Sequence, residues 1–267
     1  MTPAQTVYFD PLAELYERYA EINDEVYRPW LTAALSVAGR LDRAIDLGCG
    51  SGRFTGLLAG QFGEVLAVDI AEREIEIARQ KRPHPNVDYQ VRSLLDVTPE
   101  QDGQFDLVLS VNALFHVRDP DRVLPHVRSL VRPGGWAVIV DVVSPGPRSV
   151  LRHRWWGVRD AAETLRRRRS ARDAWTVMKL RQHPLWMQHA RTNHPLTRPE
   201  FHRRYGEVFA GSELTDTLDP FVCAARWQRP AETPVAPGSR PAAAAAAVEP
   251  GPDARVTASE VTAGEQD

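Results

Sequence analysis

Three glycines at alternate positions follow an acid in the run Ala44-Ile45-Asp46-Leu47-Gly48-Cys49-Gly50-Ser51-Gly52-Arg53. Glycine permits positive φ and lets a ligand lie against the backbone. The apolar residues before the turn read as a strand, and those after it as a helix over 53–61. Such a turn delivers free backbone N–H groups and a positive dipole end. It suits a nucleotide-like ligand that carries a carboxylate or a phosphate. The dinucleotide fingerprint G-x-G-x-x-G fails, because Arg53 stands where its third glycine belongs. The phosphate-binding loop fails too, since no lysine followed by Ser or Thr closes the turn. A plain strand–helix turn would also use these glycines, so later residues must decide. Asp69 ends the next apolar run, Val65-Leu66-Ala67-Val68-Asp69. A carboxylate there can accept two hydrogen bonds from a ribose diol.

Asp46-x-Gly48-x-Gly50-x-Gly52 resembles the first motif of the class I S-adenosylmethionine-dependent methyltransferases, in their small-molecule branch. Further motifs follow in order: Asp69, then Val91-Arg92-Ser93-Leu94-Leu95-Asp96, then Phe105-Asp106-Leu107-Val108, then Leu130-Val131-Arg132-Pro133-Gly134-Gly135. The resemblance covers roughly residues 40–143. It implies S-adenosyl-L-methionine as cofactor. Asp46 and the loop of Gly48, Cys49, Gly50 and Gly52 would hold its methionine end, and Asp69 with Ile70 its ribose. Ser93, Leu94 and Leu95 would flank adenine, and the backbone at Asn112 would hold the amino group. Ser93 departs from the family, which carries Gly-Asp where this chain has Arg92-Ser93. His116, just after the fourth strand, is the candidate acceptor of a substrate proton. The competing reading is a histidine packed in its loop. His153, His183, His189, His194 and His202 are alternatives in or near a helical insert. Cys49 reads as a small filler, because no base is paired with it. Two cysteines are too few for a four-ligand zinc site, and no metal is expected.

The elements that must position these residues are legible as periodicity. Leu12, Leu15, Tyr16, Tyr19 and Ile22 recur at helical spacing, and two helices are predicted over 11–38, closed by Gly39. Strands are predicted over 44–47, 65–69, 87–92, 105–110 and 136–143, with helices over 72–81 and 119–131. Pro133-Gly134-Gly135 is expected to stop the second of these helices. The strands are short and rich in Val, Ile and Leu, as strands covered on both faces are. The predicted fold is a doubly wound, Rossmann-like α/β domain. Its seven-stranded, mostly parallel sheet has an antiparallel last strand, N-terminal helices and a helical insert after strand five. Ligands in such sheets bind beyond the carboxyl ends of the strands, where Asp46, Asp69, Ser93 and Asn112 all fall.

The domain limits follow: an N-terminal helical cap over 1–40, a methyltransferase domain over 41–228 with a lid insert over 144–195, and a tail over 229–267. Residues 148–181 hold eleven Arg or Lys and three acids, and the insert holds four of the seven tryptophans. Arg166-Arg167-Arg168-Arg169 circles a helix and cannot all face one ligand. The tryptophans are expected mainly to pack. Thr197 is predicted to cap a helix over 198–209, with a strand pair over 213–218 and 221–228. Six prolines between Pro230 and Pro252 and the alanines of 242–247 predict a disordered tail.

A formal net charge of -2 argues against wholesale nucleic-acid binding. No run is long enough to span a bilayer, and the N-terminal residues lack the pattern of a signal peptide. Sparse cysteine fits a reduced, cytoplasmic setting. Val111-Asn112-Ala113-Leu114 stands where the family's base-modifying members carry a Pro-Pro-aromatic signature. The expected substrate is therefore a small molecule, acidic or carrier-bound, methylated on O, N or C. Two alternatives stay open: a methyltransferase that reaches RNA or protein through the basic insert, and a cofactor-binding module without catalysis.

Overall fold

The computed structural model describes residues 12–36, 41–144, 150–193 and 195–231. All belong to the first of two units, Met1–Glu232. The second unit, Thr233–Asp267, carries nearly all of the predicted tail and lies outside the described residues, as do Gly39 and His194.

In chain order the elements are α1 (Ala13–Asn23), α2 (Arg28–Ala34), β1 (Arg43–Leu47), α3 (Thr55–Ala59), β2 (Glu64–Asp69), α4 (Glu72–Lys81), β3 (Val87–Val91), α5 (Pro99–Asp102) and β4 (Phe105–Val111). They continue with α6 (Pro120–Leu130), β5 (Val131–Val142), α7 (Val150–Arg168), α8 (Ala171–Gln182), α9 (Pro184–Thr192), α10 (Arg198–Val208), β6 (Glu213–Asp219) and β7 (Val222–Gln228). The seven strands form one sheet in the order β3-β2-β1-β4-β5-β7-β6. β1 through β5 run parallel, while β7 pairs antiparallel with both β5 and β6. The chain leaves β1 toward one edge and returns at β4 on its other side. The crevice between β1 and β4 is therefore the topological switch point, where ligands bind in such sheets.

Both faces of the sheet are covered, as the unbroken apolar strands require. Ile45, Val108 and Ile139 point into a cluster with Val123, Val127 and Leu130 of α6 and with Phe201 and Tyr205 of α10. Ala44, Leu107, Leu109, Val138 and Val140 point the other way, onto Leu31 and Ala34 of α2 and Leu58 of α3. The period of two along each strand thus sorts side chains between two helical layers. Asp106 ties the base of the sheet together. Its Oδ2 accepts the backbone N–H groups of Asp42 (2.7 Å) and Arg43 (2.9 Å), and its carboxylate pairs with Arg132. Thr197 closes a reciprocal capping box with Glu200 at the start of α10, as its place in the sequence predicts.

Three expectations are corrected. The helix after the glycine turn begins at Thr55 and ends at Ala59, so 53–54 and 60–61 are not helical. Arg53 and Phe54 are spent on the N-terminal helices instead: Arg53 pairs with Asp24 at 3.4 Å, and Phe54 packs on Tyr27 at 5.6 Å. Pro133-Gly134-Gly135 does not stop α6, which already ends at Leu130. It forms a bulge inside β5, between the pairs Phe105↔Val131 and Leu107↔Trp136. Glycine is required there, since a Cβ on Gly135 would sit 2.9 Å from the Asp106 carbonyl oxygen and 3.0 Å from that of Phe105. The four insert tryptophans do not all pack. Trp156 meets Phe221 edge-on and Trp186 joins an aromatic cluster, but Trp155 and Trp175 are 60% and 68% exposed.

The insert is helical throughout its described part. α7 and α8 pack as a hairpin, and α8 rests on α1. Its arginines are largely engaged within the fold: Arg166 with Glu163, Arg168 with Asp173, Arg181 with Asp160, and Arg167 on the carbonyl of Ile22.

Candidate functional site

The ends of β1, β2 and β4 open into a crevice. Asp46 leaves the sheet in β1, between the partners Ala67 and Leu109. Its side chain is buried, and its Oδ2 accepts the Thr55 hydroxyl at 2.6 Å. Burial pushes this carboxyl up to about 7. Asp69 ends β2, and its two oxygens accept the backbone N–H groups of Gly50 and Ala71, each at 2.9 Å. Those bonds fix the carboxylate across the glycine turn. Burial outweighs them and raises its pKa.

Of the residues singled out by sequence, Asp46, Gly48, Cys49, Gly50, Asp69, Ile70, Ser93, Leu94, Asn112 and His116 line this crevice. Gly52 and Leu95 do not. Gly52 faces the Tyr89 hydroxyl, and Leu95 packs against the main core. The Ser93 hydroxyl accepts the Leu95 N–H at 3.2 Å and so shapes the turn beside the crevice. Burial pushes the Cys49 thiol well above its ordinary range, as an inert filler requires. Asn112 adopts the left-handed conformation, φ 56°, and its amide donates to the Tyr27 hydroxyl at 3.0 Å. Its Oδ1 is buried with no hydrogen-bond partner among the described residues.

His116 sits in a short helical turn, Leu114–His116, that follows β4. The ring is buried, and its Nδ1 lies 3.4 Å from Asn193 Oδ1. The Asn193 amide nitrogen lies 2.8 Å from His189 Nε2, and the His116 and His189 rings are 5.1 Å apart. Burial, then His189, pull the His116 pKa down to about 3, against the Asn193 contact. The imidazole is therefore neutral near pH 7. Asp141 at the end of β5 is not a wall residue. Its carboxylate accepts the Phe115 N–H (3.3 Å) and the Tyr205 hydroxyl (3.1 Å), and so anchors the turn that carries His116.

Several wall residues were not singled out by sequence. Tyr16 comes from α1, Arg53 and Phe54 from the glycine turn, and Glu74 from α4. Tyr16 stacks on Trp186 of the insert at 5.8 Å, and Trp186 lies 5.5 Å from His189. Beneath the turn, Glu17 accepts the Ser51 hydroxyl and pairs with Arg82 at 2.7 Å. Burial alone would raise the Glu17 pKa, but Ser51 and the arginines outweigh it and hold it low. Tyr16 counted toward helix periodicity, and a first-turn glutamate is ordinary in any helix, so neither carried a signal of its own. Of the insert histidines, His189 contacts His116; the side chain of His153 lies outside the described residues.

Residues 45–139 match a family model described as a methyltransferase domain. The ubiquinone biosynthesis O-methyltransferase of Bordetella avium (strain 197N) is 35% identical over 118 residues, 43% of this chain and 48% of that protein. The chain thus spans about half the length of the curated relatives it matches. The solved DhpI–SAH complex superposes with a TM-score of 0.55 at 21% identity, covering 86% of this chain and 96% of the other. An S-adenosylmethionine-dependent methyltransferase from Mesorhizobium loti superposes with a TM-score of 0.52 at 20% identity, covering 76% and 98%. At such identities these two likenesses bear on the fold.

Proposed function

We propose that this chain, which carries a class I S-adenosylmethionine-dependent methyltransferase domain, moves a methyl group onto a hydroxyl of a small molecule. The observation that carries this reading is the crevice at the switch point, with Asp69 fixed at its floor by two backbone N–H groups and neutral His116 in its wall. The residues present fit such a cofactor. Buried polar atoms of Glu74 and Asn112 at the wall have no hydrogen-bond partner among the described residues, as atoms awaiting a polar ligand would.

The cofactor supplies, when bound, an electrophilic methyl group on a sulfonium. Asp69 and Ile70 hold the ribose. Asp46 and the loop of Gly48, Cys49 and Gly50 hold the methionine end, with Gly52 closing the turn away from the crevice. Ser93 and Leu94 flank adenine, and the backbone at Asn112 takes the amino group. The helices of the insert and α1 act as a lid that keeps water from the acceptor, through Tyr16, Trp186 and His189. His116 is the candidate acceptor of the substrate proton; burial, which holds its pKa at about 3, works against that role, so a bound acceptor has to offset it. The name of the Bordetella relative supports an oxygen acceptor on a small molecule. The pairing of Arg168 and Arg181 within the fold supports a small molecule over RNA, which would need those charges on its phosphates. A cytoplasmic setting suits Cys49 and Cys223, which are both free thiols.

The test is transfer of a labelled methyl group from S-adenosylmethionine to a panel of phenols, catechols and acidic or carrier-bound hydroxyls. At least one hydroxyl compound is expected to gain the label. If the protein binds the cofactor and labels none, the cofactor-binding module is the correct reading. With an acceptor in hand, His116→Ala is expected to lower kcat about a hundredfold, as loss of general-base help does. The affinity for S-adenosylhomocysteine should stay within about threefold, since proton acceptance is not cofactor binding. Because His116 is neutral above about pH 3, the wild-type profile should show no histidine step near its ordinary value. A variant with unchanged kcat would remove His116 from the reaction.

A further inference from the structure

We propose that Glu74 is a specificity-determining acid: it makes the crevice prefer the cationic sulfonium form of the cofactor over the neutral thioether left after methyl transfer. The inference rests on the methyltransferase reading above.

Glu74 is the third residue of α4 and is 3% exposed. Its neighbour Glu72, in the same first turn, points to solvent. Acids in a first turn are stabilised by the helix dipole, and that accounts for Glu72. It does not account for a carboxylate turned inward. Neither oxygen of Glu74 has a hydrogen-bond partner among the described residues, and the side chain lines the crevice. It borders the glycine turn, since Glu74 Oε2 lies 3.6 Å from the place of a Cβ on Gly50. A ligand resting on Gly50 therefore meets Glu74.

The cations around Glu74 are shared with other acids and do not hydrogen-bond it. Arg53, from the glycine turn, pairs with Asp24 (3.4 Å) and Glu17 (3.8 Å). Arg82, just past α4, pairs with Glu17 at 2.7 Å. The acids that face it, Asp69 from β2 and Glu17 from α1, repel its charge. Among the described lining residues, Asp46, Asp69 and Glu74 stand against Arg53. Burial, the largest cause, outweighs the favourable charges of Arg53 and Arg82 and, with repulsion from Asp69 and Glu17, pushes Glu74 up to about 7. Among the described residues no group hydrogen-bonds this buried carboxyl, and a positive charge entering the crevice adds to the pull of Arg53 and Arg82. S-adenosylmethionine brings a sulfonium; S-adenosylhomocysteine, with its neutral sulfur, does not. At an effective dielectric of about 20, a pair of unit charges on the order of 10 Å apart is worth about tenfold in affinity. The consequence is that the product, having lost that charge, is held less tightly than the donor.

The test is calorimetric titration, without acceptor, at about pH 8.5, where a carboxyl of this pKa is ionised. The probes are S-adenosylmethionine, sinefungin (a stable amine that carries the positive charge in place of the sulfonium) and S-adenosylhomocysteine. The wild-type protein is expected to bind both cationic ligands about tenfold more tightly than S-adenosylhomocysteine. Glu74→Gln should bring that ratio close to one, chiefly by weakening the cationic ligands. Glu74→Met, of similar volume without polar atoms, should give the same ratio and guards against poor folding of the first variant. A ratio unchanged by both variants overturns the proposal. So does an equal loss for all three ligands, which would mean that Glu74 grips a group they share, the ribose or the amino group. If the wild-type protein bound none of the three, the methyltransferase reading itself would fall.

Discussion

Replacing Asp69 by alanine is expected to weaken S-adenosylhomocysteine binding about a hundredfold, or about 2.7 kcal/mol. The ribose diol would lose two hydrogen bonds to a charged acceptor, each worth about 1.5–3 kcal/mol. The same change strips acceptors from the Gly50 and Ala71 N–H groups, which Asp69 now holds at 2.9 Å each. The glycine turn would therefore loosen as well as lose its contact. Asp69→Asn separates the two effects: its amide oxygen can keep one backbone bond, and it cannot accept a diol with both atoms. An intermediate loss of about tenfold is expected for it. Calorimetric titration gives the affinities, and a thermal melt of each variant reports whether the turn has unfolded. Cofactor affinity unchanged in Asp69→Ala would contradict the ribose assignment.

The second large effect belongs to Gly48. Its φ is +74°, and a Cβ added there would lie 2.3 Å from the Ala113 Cβ, closer than two non-bonded carbons can stand. Left-handed backbone costs a non-glycine residue about 1–2 kcal/mol, and forced overpacking adds about 1–3 kcal/mol. Gly48→Ala should therefore destabilise the protein by about 3 kcal/mol and push the Asn112–Ala113 segment away from the crevice. Two comparisons isolate the causes. Gly134 has a similar φ, +79°, with nothing within 4 Å of its added Cβ, so Gly134→Ala should cost only about 1 kcal/mol of backbone strain. Adding Ala113→Gly to Gly48→Ala removes the colliding methyl and should recover the packing share. A chemical denaturation midpoint reads all three. Equal costs for Gly48→Ala and Gly134→Ala would show that the contact with Ala113 is easily relieved.

How much of this was legible in the sequence depends on whether a residue acts locally. Asp46 and Asp69 stand at the ends of apolar runs, and glycines at alternate positions can be read without knowing the fold. The parallel direction of the first strands follows from repeated βα units, and the antiparallel pair from the short break at Asp219-Pro220. Local reading failed where distant groups compete for a residue. Arg53 and Phe54 look like the start of a helix, yet α1, the Asp24 turn and Tyr27 claim their side chains, so α3 waits until Thr55. Pro133-Gly134-Gly135 has the composition of a turn, but β4 is long enough to keep pairing past it, and the extra residues bulge out of the ladder.

The candidate site divides in the same way. The floor, built from strand ends, was readable. The roof was not, because no periodicity says where an insert lands. Asn193 reaches His116 across 77 positions, and Trp186 finds Tyr16 from the other end of the chain. His116 could be placed near the crevice, but its neutrality comes from burial beside His189, which only the folded insert supplies. Glu74 illustrates the limit most sharply. In sequence it is an acid in the first turn of a helix, and only its burial without a partner among the described residues marks it as facing a ligand.

The central claim is that the crevice between β1 and β4 takes S-adenosylmethionine, and calorimetric titration of the wild-type protein with S-adenosylhomocysteine, with NADH as control, tests it most directly. The account predicts one site per chain at micromolar affinity or tighter, with no heat from NADH. Binding of NADH without S-adenosylhomocysteine would contradict it, and would return the glycine turn to the dinucleotide reading that Arg53 argues against.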